Sequence, residues 1–224
     1  MKASGRVIYG IYGAGGCGRG VLPVADAMLR SARNPGDYEL VFIDDDAGGA
    51  AINGRRALSL EEFLSEDASR RFFAIAVADP ASRATLDARC RDRGLDYFSV
   101  VATNAVIMDD VEIGDGAVLS PFVTITSNVR IGRHFHANLY SYVEHDCRIG
   151  DFVTFAPGVR CNGNVAIGDH AYLGAGSTLR QGKPGSPLEI GEGAVVGMGA
   201  VVTKSVPPGV TVVGNPARPI EPGT

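Results

Sequence analysis

Residues 143–173 read VEHDCRIGDFVTFAPGVRCNGNVAIGDHAYL, and every sixth residue from Val143 (Ile149, Phe155, Cys161, Ile167, Leu173) is apolar. A repeat of this kind must be found before any other assignment is made. Carried backward, the same phase meets Ala137, Ile131, Ile125, Leu119, Ile113 and Ile107; carried forward, it meets Leu179. Four residues after each lies a mostly small or β-branched side chain, among them Val123, Val129, Cys147, Val153 and Val165. Each hexad therefore turns two side chains inward. Ile-Gly recurs at Ile113, Ile131, Ile149 and Ile167, eighteen residues apart, so three hexads make one coil. The expected object is a triangular prism of short stacked parallel strands, each coil burying its apolar face only against its neighbours. Leu179 to Ile190 spans eleven residues, five more than a hexad, which predicts a loop extruded at QGKPGSPLE before the phase resumes at Ile190, Val196 and Val202.

The hexads begin near residue 101. Before that point short apolar runs (VIYGIY, YELVFI, FFAIAVA) alternate with helical patterns (GVLPVADAMLRSA, SRATLDARCRDRG). That alternation predicts a small parallel α/β sheet of roughly four strands over residues 1–100, followed by the prism over 101–224.

The chain has 224 residues, 45% of them apolar, and a formal charge of −4. A core of real size is expected, and nothing in the charge favours nucleic acid or an anionic membrane. The cysteines Cys17, Cys90, Cys147 and Cys161 form no C-x-x-C pair, so neither a disulfide framework nor a metal site is expected. No run approaches about 18 apolar residues, and a cytoplasmic protein is expected.

With Val143 and Cys147 inward, His145 and Asp146 must lie outward or at a corner of the prism. One coil later the His145 column holds Gly163, a bare backbone that leaves room beside the imidazole. A base next to an exposed N–H suits acyl transfer. His134 and His136 also fall on outward positions, without compelling ligand spacing for a metal, and His170 reads as a solvated residue. In the first half, Gly13-x-Gly15-x-x-Gly18 follows a strand and opens a helix, and Asp44, Asp45 and Asp46 close the second strand. This is formally a dinucleotide fingerprint. A reductase would need a second substrate domain rather than a prism, whereas a nucleotide diphosphate-sugar could use the same glycine loop and acids.

Hexads of the form Ile-Gly-Asp and the ending VVGNPARPI (212–220) resemble the left-handed parallel β-helix of hexapeptide-repeat acyltransferases. A Rossmann-like α/β unit followed by this helix resembles the nucleotide-sugar N-acetyltransferases and the sialic-acid-type sugar O-acetyltransferases, over essentially the whole chain. The resemblance implies the left hand of the helix, a homotrimer, acetyl-CoA as co-substrate and a nucleotide-linked amino sugar as acceptor, with a 4-amino-4,6-dideoxyhexose expected. Carried onto this sequence, it makes His145 the general base, oriented by Asp146, with the Gly163 N–H as oxyanion donor. It puts substrate contacts at Gly15, Gly16, Cys17, Asp44, Asp45, Ala78 and Asn138, and cofactor contacts at Thr154, Ala175 and Met198. Lys204 or Arg218 could meet the phosphates of CoA. Cys17 and Thr154 stand where the relatives have histidine, and Ala78 where they have glycine. Because Ala175 and Met198 share a corner column different from that of His145, the thioester arm is expected between neighbouring protomers. The alternatives are O-acetylation of a sialic-acid-like sugar and a prism kept as a non-catalytic scaffold.

Overall fold

The computed structural model describes residues 5–220 other than Pro35, Gly48 and Ala50. The first unit is built on β1 (Val7–Tyr12), α1 (Gly16–Ala32), β2 (Tyr38–Ile43), β3 (Ala51–Ile52), β4 (Arg55–Leu58), α2 (Leu60–Ser65), β5 (Arg70–Ile75), α3 (Pro80–Arg91) and β6 (Asp96–Tyr97). Its sheet has six strands in the order β3-β4-β2-β1-β5-β6. All neighbours are parallel except β3 and β4, a short antiparallel edge that the expectation of about four strands did not contain. The helices start where local chemistry lets them. Ser59 and Glu62 form a reciprocal capping box at α2, and Asp79 caps α3 by accepting from the Ser82 N–H at 2.7 Å, with Pro80 in the first turn. The Asp79 carboxylate is thereby committed to the cap.

The prism begins at Val100–Val101 and has three sheets of eight, six and five strands. It is a left-handed parallel β-helix. Partners lie one coil apart, as in Val118↔His136 and Thr154↔Tyr172, until the extruded loop shifts the register from Val165 to Leu188. That step is five residues longer than the 18 of the earlier coils, the length of the predicted insertion. The inward positions form one continuous buried cluster from Leu119 to Val212. Only the first coil departs from this, because no coil lies beneath it, and Val106, Ile107 and Met108 are exposed.

The Ile-Gly-Asp signature has a mechanical basis. A Cβ at Gly132 would come within 2.7 Å of the Asp151 backbone nitrogen, and one at Gly150 within 2.7 Å of the Asp169 nitrogen. The aspartates then tie successive coils: Asp151 accepts from the Arg133 N–H at 2.8 Å, and Asp169 from the Asp151 N–H at 2.8 Å.

The two units share a core. Val100 and Val118 of the prism pack with Val21, Leu22, Ala25 and Leu29 of α1. Arg83 of α3, fully buried, donates to the carbonyls of Val77, Ala78, His134, Phe152 and Val153. His134 and His136 do leave the prism interior, but they are not solvent-facing. The α/β unit covers them, at 0% and 5% exposure, and His134 Nε2 lies 3.0 Å from Asp87 Oδ1 of α3. His170 joins a ring column instead of standing free, with Phe152 stacked between it and His134 at centroid distances of 5.2 and 5.0 Å.

Candidate active site

His145 and Asp146 occupy a tight corner between two strands, Tyr142–Val143 and Arg148–Ile149. Asp146 takes the left-handed conformation, φ 59°, which aspartate and asparagine tolerate better than most residues; Asn128 and Asn164 repeat it one coil before and after. The turn throws both side chains outward, 45% and 48% exposed, with His145 Nδ1 2.7 Å from Asp146 Oδ2. The hydrogen bond to Asp146 raises the imidazole pKa above its ordinary value. An acceptor at Nδ1 fixes the proton there, and Nε2 becomes the basic nitrogen.

Beneath the ring lies Gly163. A Cβ at that position would stand 2.6 Å from both His145 Cε1 and Nε2. The space left by the missing side chain is therefore taken by the imidazole itself, and glycine is what lets the ring lie along the coil. Above Gly163 the extruded loop returns: Gly182 N–H donates to the Gly163 carbonyl at 2.9 Å. The approach of this loop to the His145 corner was not anticipated from sequence, where it was only an insertion.

A second constellation lies between α1 and the outer face of the prism. A cleft of about 430 Å³ brings together Gly16, Cys17, Ala78, Asn138 and Thr154, joined by His136 and Tyr172. Thr154 Oγ1 donates to the Ala78 carbonyl at 2.8 Å, tying the floor of the cleft to the α/β unit. Gly15 caps α1 without a side-chain bond, so the backbone N–H groups of the first turn are open to a ligand. Gly18 must be glycine because a Cβ there would overlap the Gly13 carbonyl. Burial raises the Cys17 thiol pKa, which keeps it protonated.

The acids after β2 hold the glycine loop and its surroundings. Asp44 accepts from the Ala14 N–H at 2.8 Å and the Asp46 N–H at 3.1 Å. Asp45 accepts from Tyr12 Oη at 2.9 Å and the Leu60 N–H at 3.0 Å, and pairs with Arg89. Neither lines the cleft; Asp44 braces the glycine loop through Ala14, whereas the three donors to Asp45 tie the end of β1 to α2 and α3. Ala175 and Met198 sit on another corner, both exposed, Met198 at 82%. Arg218 is exposed near the end of the chain, its guanidinium donating to the Ala217 carbonyl at 2.8 Å. Among the described residues no three His, Cys, Asp or Glu side chains converge as a metal site, and no helix is long and apolar enough to cross a membrane.

Residues 164–204 match the hexapeptide repeat of succinyl-transferase. Over 211 residues, covering 94% of this chain and 95% of the relative, the sequence is 48% identical to GDP-perosamine N-acetyltransferase of Escherichia coli O157:H7. The chain belongs to the hexapeptide-repeat sugar N-acetyltransferases. WeeI from Acinetobacter baumannii AYE has the same fold at a TM-score of 0.91, with 50% identity over 96% of this chain and all of its own. PerB from Caulobacter crescentus, solved in complex with CoA and GDP-perosamine, superposes at 0.81 with 26% identity, over 97% of this chain and 98% of its own. Membership in this acetyltransferase family leaves no place for the scaffold alternative and favours transfer to nitrogen over transfer to oxygen.

Proposed function

We propose that this enzyme transfers the acetyl group of acetyl-CoA to the amine of a nucleotide-linked 4-amino-4,6-dideoxyhexose, with GDP-perosamine the first candidate, in the cytoplasm and for a surface glycan. The observation that carries the mechanism is the His145 imidazole, held through Nδ1 by Asp146 and laid over Gly163. Nε2 of His145 takes the proton as the sugar amine attacks the thioester carbon, a contribution of about 10²–10⁴-fold in rate. The oxyanion that forms is met by the Gly163 N–H, which takes no part in the coil-to-coil hydrogen bonds. The C–S bond then breaks and CoA leaves as the thiolate. Cys147 and Cys161, fully buried, are not available as nucleophiles.

The diphosphate sits at the start of α1, against Gly15, Gly16 and Cys17, with Ala78 and Asn138 walling the sugar side, Asp44 holding the loop and Asp45 the end of β1 behind it. Thr154 lies beside the acetyl group, CoA runs along the corner of Ala175 and Met198, and Arg218 faces its phosphates. The His145 and Met198 corners are separate corners of one prism, so a single chain cannot bring them face to face. A homotrimer would do so three times, each site drawing one corner from each of two protomers.

Thiol release from acetyl-CoA, measured against nucleotide-linked 4-amino and 3-amino sugars and a sialic-acid-like acceptor, tests this reading. Release with a nucleotide-linked 4-amino sugar is expected. Release only with the sialic-acid-like acceptor would replace it by O-acetylation.

A further inference from the structure

One polar atom in the cleft has no role in the mechanism above. His136 stands on the outer face of the prism between Val118 and Thr154 and is one of the residues that line the cleft. Its Nε2 is buried and has no hydrogen-bond partner. The ring also hydrogen-bonds the backbone of Ile75 at the end of β5. A carbonyl can only accept, so Nδ1 carries the proton and Nε2 presents a bare lone pair. Burial, with Arg83 and His134 nearby, holds the imidazole pKa well below its ordinary value and keeps the ring neutral.

A buried acceptor left unpaired is costly, and one on a cleft wall gains its partner when a ligand brings a donor. The neighbouring groups do not supply that donor. The Thr154 hydroxyl proton is spent on the Ala78 carbonyl, and no side chain around the cleft bonds this nitrogen. The first turn of α1 borders the same cleft and favours the diphosphate, which places the hydroxyl groups on either side of it, on hexose or ribose, within the cleft. The reacting amine has its own partner in His145, which does not line this cleft.

We propose that His136 is a specificity-determining residue whose Nε2 accepts a hydrogen bond from one hydroxyl of the bound nucleotide sugar, so that the enzyme selects for that hydroxyl. This rests on the acetyltransferase reading above. A site built around a hydroxyl rejects the analogue that lacks it, because the protein acceptor is then left unpaired.

The test compares kcat/KM for GDP-perosamine with analogues lacking one hydroxyl at a time, on the hexose or on the ribose, in wild type, His136→Leu and His136→Gln. Wild type should disfavour one analogue by about 10–100-fold. In His136→Leu that preference should collapse to within about threefold, while His136→Gln, which keeps an acceptor, should retain part of it. The KM for acetyl-CoA should hold throughout. The analogue that loses its penalty identifies the hydroxyl as belonging to hexose or ribose. Equal loss for all substrates, or no discrimination by wild type, would overturn the proposal and leave His136 a packing residue; wild-type discrimination and the Gln variant decide it if His136→Leu does not fold. Absence of acetyl transfer from wild type to GDP-perosamine and to every other nucleotide amino sugar would instead sink the functional reading, and this one with it.

Discussion

The Asp146 contact at Nδ1 decides which nitrogen of His145 is free. His145→Asn should lower kcat by about 10²–10⁴-fold while both ligand affinities hold, because an exposed corner residue carries little packing. Binding titrations beside steady-state rates check this. Asp146 raises the His145 pKa, so the base form is lost as pH falls through that raised value. Asp146→Asn should therefore move the acid limb of the rate profile to lower pH, as well as lowering the plateau. An unmoved limb would mean that Asp146 does not tune the imidazole. Gly163→Ala would set a methyl group 2.6 Å from the ring, where it must displace His145. Activity should fall toward that of His145→Asn with the fold intact, measured by kcat and thermal melting together.

At the scale of elements, α3 is pinned to two coils by Arg83, which meets five carbonyls while buried. Its guanidinium pKa is lowered by burial to about 10, so it stays charged at neutral pH. Arg83→Leu would strand those acceptors and should cost about 3 kcal/mol or more, read by denaturant unfolding. The same interface buries His134 and His136, whose pKa values are both depressed, chiefly by desolvation. Below about pH 6.5 the unfolded chain takes up protons that the folded chain refuses. Stability should thus be full above that pH and decline as pH falls toward the depressed folded values. Melting temperature against pH checks this, and His136→Gln should flatten the slope.

For the whole molecule, the proposed division of the site between two corners would make assembly part of catalysis. Sedimentation should find a trimer. Chains carrying His145→Asn and chains carrying Met198→Glu should each be weak alone and regain activity when mixed and reassembled, because some sites then receive one intact corner from each protomer. A fully active monomer would defeat the shared site. The exposed apolar side chains of the Met198 corner, Leu139 and a stacked Phe122–Tyr140 pair, are the surface such an assembly would cover.

The hexad phase alone determined the prism, its inward residues, the five-residue insertion and the outward corner of His145 and Asp146, because a solenoid makes each coil repeat the geometry of the last. The glycine loop and the alternation of strands and helices likewise placed α1 and its open N-terminus. What a phase cannot tell is what covers an outward position. His134 and His136 share the outward class of His145, yet the α/β unit packs over the first two and leaves the third in solvent. The acids Asp44 and Asp45 read in sequence only as carboxylates at the end of a strand, and their long-range donors (Tyr12, Ala14, Leu60, Arg89) appear only in the folded chain. Arg83, an ordinary helix residue in sequence, becomes the rivet of two units only once α3 lies across the coils. Periodicity is local and additive along the chain, whereas burial on an outer face depends on the docking of a separate unit, and that was decided by the tertiary structure alone.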